Sequence, residues 1–438
     1  DRSPSRGLGD VYKRQVHWLL KLGVKFNMSG YDDVDLRNFG GQKKKRTAFA
    51  QSDTGKQIMT AMIDAVRRKE ASGMVERFSH HSFLTLRLCD NICCGCVIRD
   101  EYSQETVELP GDAVIVATGG MHGLFGNTTG SLSNTGEVTA ELFRLGVPLA
   151  NGEMIQYHPT TVKCGGKRML ISEAARGEGG RLFAMKDGKQ WYFMEEKYPE
   201  LGNLMPRDIT AREIWKVSHE SEVFLDMTEI SEEIISNKLS GLADDCMTYL
   251  HKDIRKEPVS VLPGIHYFMG GILVDEQHRT PIQNLYAAGE CCAQYHGANR
   301  LGGNSLLGAL YGGRVAAKSA CEQADVVDLS CATQIDFPPA SQISEIKQLN
   351  KVMQETMGVV RNENTLLNGI QTVQALTGNL PLLGMAVLKS ALARKESRGA
   401  HWREDYPKSN DDDYLKTTVA RFDGKQIQIS FVPVPERR

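Results

Sequence analysis

Apolar residues change their spacing several times along the chain, and each change marks an element. From Gly55 to Lys69, residues Ile58, Met59, Met62, Ile63 and Val66 recur at helical spacing behind the turn Asp53-Thr54-Gly55, which predicts a helix starting there. Leu84, Leu86 and Leu88 alternate and apolar residues resume around Val97, predicting the strands of a hairpin. Residues 112–120, DAVIVATGG, form a continuous apolar run closing on paired glycines, the pattern of a buried parallel strand. Glu137 to Leu145 reads as a helix ended by Gly146, which tolerates left-handed backbone.

The texture then shifts. Residues 152–258 carry charged helices, a Gly-rich turn at 177–180 and an acidic stretch around Glu229 to Glu233, and read as an inserted domain. The alternating style of the first part returns from Gly270 to Glu290. After residue 325, the segments Ile343 to Met357 and Leu366 to Leu392 fit helix packing, and the last thirty residues read as short strands and loops. The expected layout is therefore 16–151 and 259–325 as two parts of one domain, 152–258 inserted, and 326–438 as a helical domain with a C-terminal segment. Residues 1–15, DRSPSRGLGDVYKRQ, have no amphipathic period and read as translated adapter sequence; they are set aside, and the natural chain is expected to begin upstream of Val16.

At 438 residues and 41% hydrophobic content the chain is long enough for more than one core. Its 52 basic and 54 acidic residues leave no global field that would favour nucleic acid, so any anion site must be local. No apolar run approaches the roughly 20 residues needed to span a bilayer. Cys93, Cys94 and Cys96 cluster, but no second group at metal-ligand spacing follows, and the hairpin pattern makes them small packing residues; no metal is expected. Reduced cysteines would suit a cytoplasmic setting.

Five segments place polar residues among glycines and prolines: QYHPT (156–160), ISEAARGEGG (171–180), MPRD (205–208), PGIHYFMGG (263–271) and HGANRLGGNSLL (296–307). Taken singly, His158 and His266 are compatible with structural histidines and Arg176 and Arg300 with surface ion pairs. Together, arginines and histidines in backbone-permissive turns make a cationic pocket suited to a dicarboxylate, since guanidinium binds carboxylate bidentately. A second set concerns a nucleotide. Gly119 and Gly120, ending one strand, and Ala287 to Glu290, ending another, let backbone approach a cofactor, and Glu290 can accept from ribose-like hydroxyls. The helix expected to start at Asn304 and Ser305 would favour negative charge at its N-terminus.

The five segments, in this order and together with NTGE (134–137) and ESRGAHWREDYP (396–407), resemble the flavoprotein subunits of the fumarate reductase and succinate dehydrogenase family from about residue 16 to the end. That resemblance implies an α/β chain. Its Rossmann-like FAD-binding domain, here without the first βαβ unit, is interrupted by an α+β capping domain and followed by the helical domain and C-terminal segment. It implies interconversion of fumarate and succinate, with His158 and Ser172 on one carboxylate, His266 and Arg300 on the other, Arg207 exchanging the proton, and Glu173 and Arg176 relaying protons to it. Glu137, Glu290, Ser305 and Leu306 would contact FAD. It also implies an iron-sulfur partner and a quinone-reactive membrane anchor, placing the chain in the cytoplasm, peripheral on the inner face of the cytoplasmic membrane.

Two residues depart from the family pattern: Ser172 stands for the usual threonine and keeps its hydroxyl, and Glu137 stands for the usual aspartate. No GxGxxG fingerprint occurs, so a catalytically incompetent fragment of an active flavoprotein is one alternative reading. L-aspartate oxidase is the other, sharing the fold and most dicarboxylate residues; the tail motif is closer to the reductase and dehydrogenase branch.

Overall fold

The computed structural model describes residues 14–434 except 31, 32, 43, 52, 132, 327–334, 336 and 338–341. Most of the stretch read as adapter thus lies outside the described residues; residues 14–21 are helical and Gln15 is buried. The chain divides into two compact units. Residues 1–78, 157–264 and 301–307 form the first, and 79–156, 265–300 and 308–438 form the second. This differs from the expected layout: residues up to 78 and residues 301–307 group with the inserted stretch, and the C-terminal helices group with 79–156.

In the first unit, Arg181–Lys186 pairs antiparallel with Lys189–Trp191 on one side and Val223–Asp226 on the other, and Val259–Ser260 completes four strands. Strand alternation puts every second residue on one face. Leu182 and Ala184, opposite Leu225 and Val223, accordingly join Ile171, Ile214, Ile235 and Val259 in one core. The helix expected near Gly55 runs Thr54–Ala71, with Arg68 and Lys69 in its last turn, where they complement the helix dipole. Only Ile58 and Ala61 are buried on it; Met59, Ile63 and Val66 are exposed.

The second unit contains the expected hairpin, His81–Cys89 against Ile92–Asp100, extended by Thr106–Pro110. Cys93 and Cys94 are buried in it as packing residues, and burial pushes the Cys93 thiol up to about 12. Among the described residues eight cysteines are free, but Cys89 is disulfide-bonded, which departs from the reduced set expected from the sequence. Among the described residues no group of His, Cys, Asp and Glu could hold a metal. The apolar run at 112–120 yields the strand Val114–Val116, parallel to Leu285–Ala287. Glu137–Arg144 is helical, and Gly146 closes its end at φ +92°.

Helices Ile343–Thr356, Glu363–Val373 and Asn379–Ala393 bury Leu349, Met353, Leu366, Val373, Leu383 and Val387. Asn379 and Thr85 both donate to the buried carboxylate of Glu141, at 2.7 and 2.6 Å. A larger ionic cluster lies among the C-terminal segments. Arg394 donates to Glu153 Oε1 (2.7 Å), Glu396 Oε1 (2.8 Å) and Thr418 Oγ1 (2.7 Å), while Arg403 pairs with Asp405 and donates to the Ala391 carbonyl. Arg361 donates to His401 Nδ1 (2.9 Å), which fixes that imidazole as neutral with its proton on Nε2, toward the Arg394 carbonyl.

Burial, reinforced by Arg361, holds His401 well below the usual histidine range; burial beside Arg300 lowers His296 to about 3, and burial lowers His278. Below about pH 6.5 the unfolded chain binds protons at these positions that the folded chain does not, so stability falls with acidification. Each histidine contributes up to about 1.4 kcal/mol per pH unit over its window. The urea midpoint of the chain should therefore drop between pH 7 and pH 5, and a flat profile there would contradict these buried neutral imidazoles.

Candidate active site

In the first unit, five polar side chains expected from the sequence, His158, Ser172, Glu173, Arg176 and Arg207, lie on one strand and on the first turns of two helices. His158 lies on the strand Ile155–Cys164 and is 1% exposed, its Nδ1 held by the Thr160 backbone. Thr160 bonds through its backbone carbonyl and hydroxyl to Ile171, which ties this strand to the Ser172 turn. Ser172 caps the helix Glu173–Gly177, its Oγ accepting from Ala174 N at 3.2 Å. Arg207 is the first residue of the helix Arg207–Val217, directly after Pro206 at the N-cap.

Glu173 joins the two arginines. Its Oε2 accepts from Arg207 Nε (2.9 Å) and Nη2 (2.6 Å), and its Oε1 accepts from Arg176 Nη2 (3.1 Å). The side chains of Glu173 and Arg176 are 1% and 0% exposed, and Arg207 is 7% exposed. Burial lowers Arg176 from its ordinary value, while Glu173 opposes the shift. Arg176 Nη1 is anchored on the Asn203 carbonyl at 2.6 Å. Two guanidinium groups and one carboxylate leave the triad with a net positive charge out of water, an arrangement that favours an anionic guest.

Two glycines make room for that carboxylate. A Cβ on Gly40 would stand 2.5 Å from Glu173 Oε1 and 2.9 Å from the Met205 carbonyl, and one on Gly302 would stand 2.8 Å from Glu173 Oε2. Gly302 falls in a segment singled out from the sequence. Gly40 was missed; the doublet Gly40-Gly41 after Phe39 was the signal that could have found it.

The second unit brings together another group. His266 Nδ1 meets Thr129 Oγ1 at 2.7 Å, and the Thr129 backbone N–H donates to the Ile265 carbonyl at 3.0 Å. Arg300, 3% exposed, lies with its guanidinium carbon 4.4 Å from the centre of the Tyr267 ring, and its carbonyl accepts from Gln156 at 2.7 Å. Burial raises the Tyr267 phenol, which keeps it neutral beneath the cation. Glu290 Oε1 accepts from Phe268 N at 2.9 Å, two residues beyond His266. Thr129, in contact with His266, is a residue that sequence reasoning did not select, because its partner stands 137 positions away.

Glu290 also follows the strand Leu285–Ala287, beside the turn that ends Val114–Val116. Both strands open into glycines at positive φ, Gly119 at +75° and Gly289 at +79°, at the carboxyl ends where α/β sheets receive dinucleotides. A Cβ on Gly120 would approach Phe268 Cδ2 to 2.7 Å and Glu290 Oε1 to 2.8 Å, so this backbone comes as close as only glycine permits. A carboxylate with one oxygen engaged by a backbone N–H and lone pairs remaining is the chemistry a cofactor hydroxyl needs. These residues fit FAD. Glu137 is exposed in the first turn of its helix, and Ser305 and Leu306 occupy the first turn of Asn304–Gln323, where backbone N–H groups have no intrahelical acceptor.

Known proteins resemble this chain in sequence and in fold. An FAD binding domain family matches residues 9–306, and the family described as fumarate reductase flavoprotein C-term matches residues 376–437. The succinate dehydrogenase flavoprotein subunit of Bacillus subtilis is 34% identical, with 100% of this chain and 85% of that protein covered. The 8-methylmenaquinol:fumarate reductase flavoprotein subunit of Wolinella succinogenes is 31% identical over 97% of this chain and 78% of that protein. A solved FrdA chain of Escherichia coli quinol fumarate reductase superposes with a TM-score of 0.85 at 26% identity, covering 97% of this chain and 83% of that one. The fold and cofactor expectations hold accordingly, and the chain belongs to the FAD-dependent fumarate reductase and succinate dehydrogenase flavoprotein family of oxidoreductases.

Proposed function

We propose that the chain interconverts fumarate and succinate, with Arg207 exchanging the proton and Glu173 keeping it supplied. The observation that carries this reading is the double contact of Arg207 Nε and Nη2 with the buried Glu173 Oε2. FAD, when bound, supplies or takes the hydride at its N5 position. His158 and Ser172 would hold one substrate carboxylate; Arg300, with its planar fork, and His266, steadied by Thr129, would hold the other. Fixing both ends leaves the central carbons little freedom, and fixed cations offset the negative charge that develops between them.

A guanidinium holds its proton tightly and does not stay deprotonated. An arginine can serve as donor only if it is reloaded at once, which calls for an acid or base in direct contact. Glu173 Oε2 touches two nitrogens of Arg207 and its Oε1 touches Arg176, so the triad supports a continuous path for that proton. Relatives named as flavoprotein subunits support the further reading that an iron-sulfur subunit and a membrane anchor complete the electron path. Among the described residues no helix is long and apolar enough to cross a membrane, so attachment to the inner face of the cytoplasmic membrane would run through those partners.

With the flavin-loaded protein and a reduced artificial donor, Arg207→Ala should lower turnover of fumarate by about 10²- to 10⁴-fold, the usual worth of a positioned proton donor. Malonate affinity should change by less than about tenfold, because the carboxylate-binding groups remain. Equal losses in turnover and affinity would reject the proton role. Glu173→Gln preserves shape and should slow turnover with little change in malonate affinity.

Arg300→Lys trades the bidentate fork for a point charge, and should weaken malonate and fumarate alike by about 1.5–3 kcal/mol. Unaltered inhibition constants would remove Arg300 from the site, and turnover of aspartate in place of fumarate would overturn the substrate reading.

A further inference from the structure

His122 has no role in the chemistry above, yet it is 4% exposed, with one ring nitrogen hydrogen-bonded and the other facing a carboxylate. It opens the short turn His122–Leu124 that follows the Gly119-Gly120 strand end. Its Nδ1 lies 2.9 Å from Thr128 Oγ1, and the same hydroxyl oxygen accepts from Gly130 N at 3.3 Å. A Thr128 hydroxyl that donates to Nδ1 leaves the imidazole proton on Nε2, and this is the tautomer on which the proposal below rests. Nε2 faces Glu290 Oε1 at 3.7 Å, within ion-pair range but longer than a hydrogen bond.

The ring has little freedom to turn elsewhere. Its centroid is 5.0 Å from that of Phe268 at an edge-on 84°, and a Cβ on Gly130 would collide with it. The turn is held from outside by the helix Ile343–Thr356, with Asn350 Nδ2 donating to the Gly123 carbonyl at 2.5 Å and Gln354 donating to the Phe125 carbonyl. Thr128 orients His122 and its neighbour Thr129 orients His266, so two adjacent side chains serve two different histidines.

We propose that His122 is a positioning residue for cofactor binding. Its Nε2–H restrains Glu290 Oε1, already engaged by Phe268 N, and leaves Oε2 as the carboxylate oxygen for a hydroxyl of FAD. This inference rests on the assignment of Glu290 to FAD under the function proposed above. A histidine that only filled space against Phe268 would matter for folding and not for which of its nitrogens is kept.

Glutamine places an amide nitrogen near the position of Nε2, whereas asparagine places one near Nδ1. Equilibrium titration of the apoprotein with FAD, followed by flavin fluorescence, separates the two roles. His122→Gln should keep the dissociation constant within about threefold of the wild type, and His122→Asn should raise it about tenfold or more, as expected for one lost charge-assisted contact. Combining His122→Asn with Glu290→Gln should add little to either single change, because both remove the same contact.

Wild-type FAD affinity in His122→Asn, equal losses in the two variants, or additive losses in the double variant would each overturn the proposal. If His122→Asn does not fold, Thr128→Val decides instead, since it leaves the ring in place and frees its tautomer. FAD affinity at least about threefold weaker then supports the proposal, and unchanged affinity overturns it. Cofactor affinity is read independently of turnover, so a wild type that binds FAD but does not reduce fumarate would count against the proposed function alone.

Discussion

Glu173 has almost no water around it, and a carboxylate in that position stays ionised only where cations and donors replace its hydration. Two arginines do so here, and much of the surrounding sequence follows from fitting them. The Ser172 cap starts the short helix that carries Glu173 and Arg176 one turn apart. Pro206 sets the start of the helix that delivers Arg207, and Asn203 offers a carbonyl to the far side of Arg176. Removing Glu173 would take from both buried arginines the carboxylate they share, so the three positions depend on one another energetically.

The C-terminal motif ESRGAHWREDYP teaches a different lesson. From sequence it served to separate one branch of a family from another, which suggests residues near the chemistry. In the structure Glu396, His401 and Arg403 are all fully buried in an ionic cluster that ties the ends of helices to the last strands. Its pattern is set by mutual satisfaction of buried charge, a structural requirement that can mark a lineage as firmly as a catalytic one.

Local periodicity was a good guide to elements and a poor guide to what covers them. The extent of Thr54–Ala71 and the hairpin followed from apolar spacing, yet the helix exposes Met59, Ile63 and Val66, because a stripe shows only which face is apolar. Polar residues bunched among glycines were legible for a related reason: such clusters are costly in a core unless they bond to one another. Thr129, His122 and Gly40 escaped notice. Each meets a partner more than a hundred positions away, and no short window contains both members of the pair.

Gly40 and Gly302 flank the carboxylate without taking part in any proton transfer, and one added methyl at either would crowd its oxygens. Under the proton role proposed for Glu173, the restriction on that residue is thereby passed to two residues that have no chemistry. When a remote relative is judged by its charged residues alone, it can keep every arginine and histidine and still be unable to seat the acid. On the proposed mechanism, a side chain larger than hydrogen at either position would be an early mark of a descendant that has kept the fold and given up the reaction.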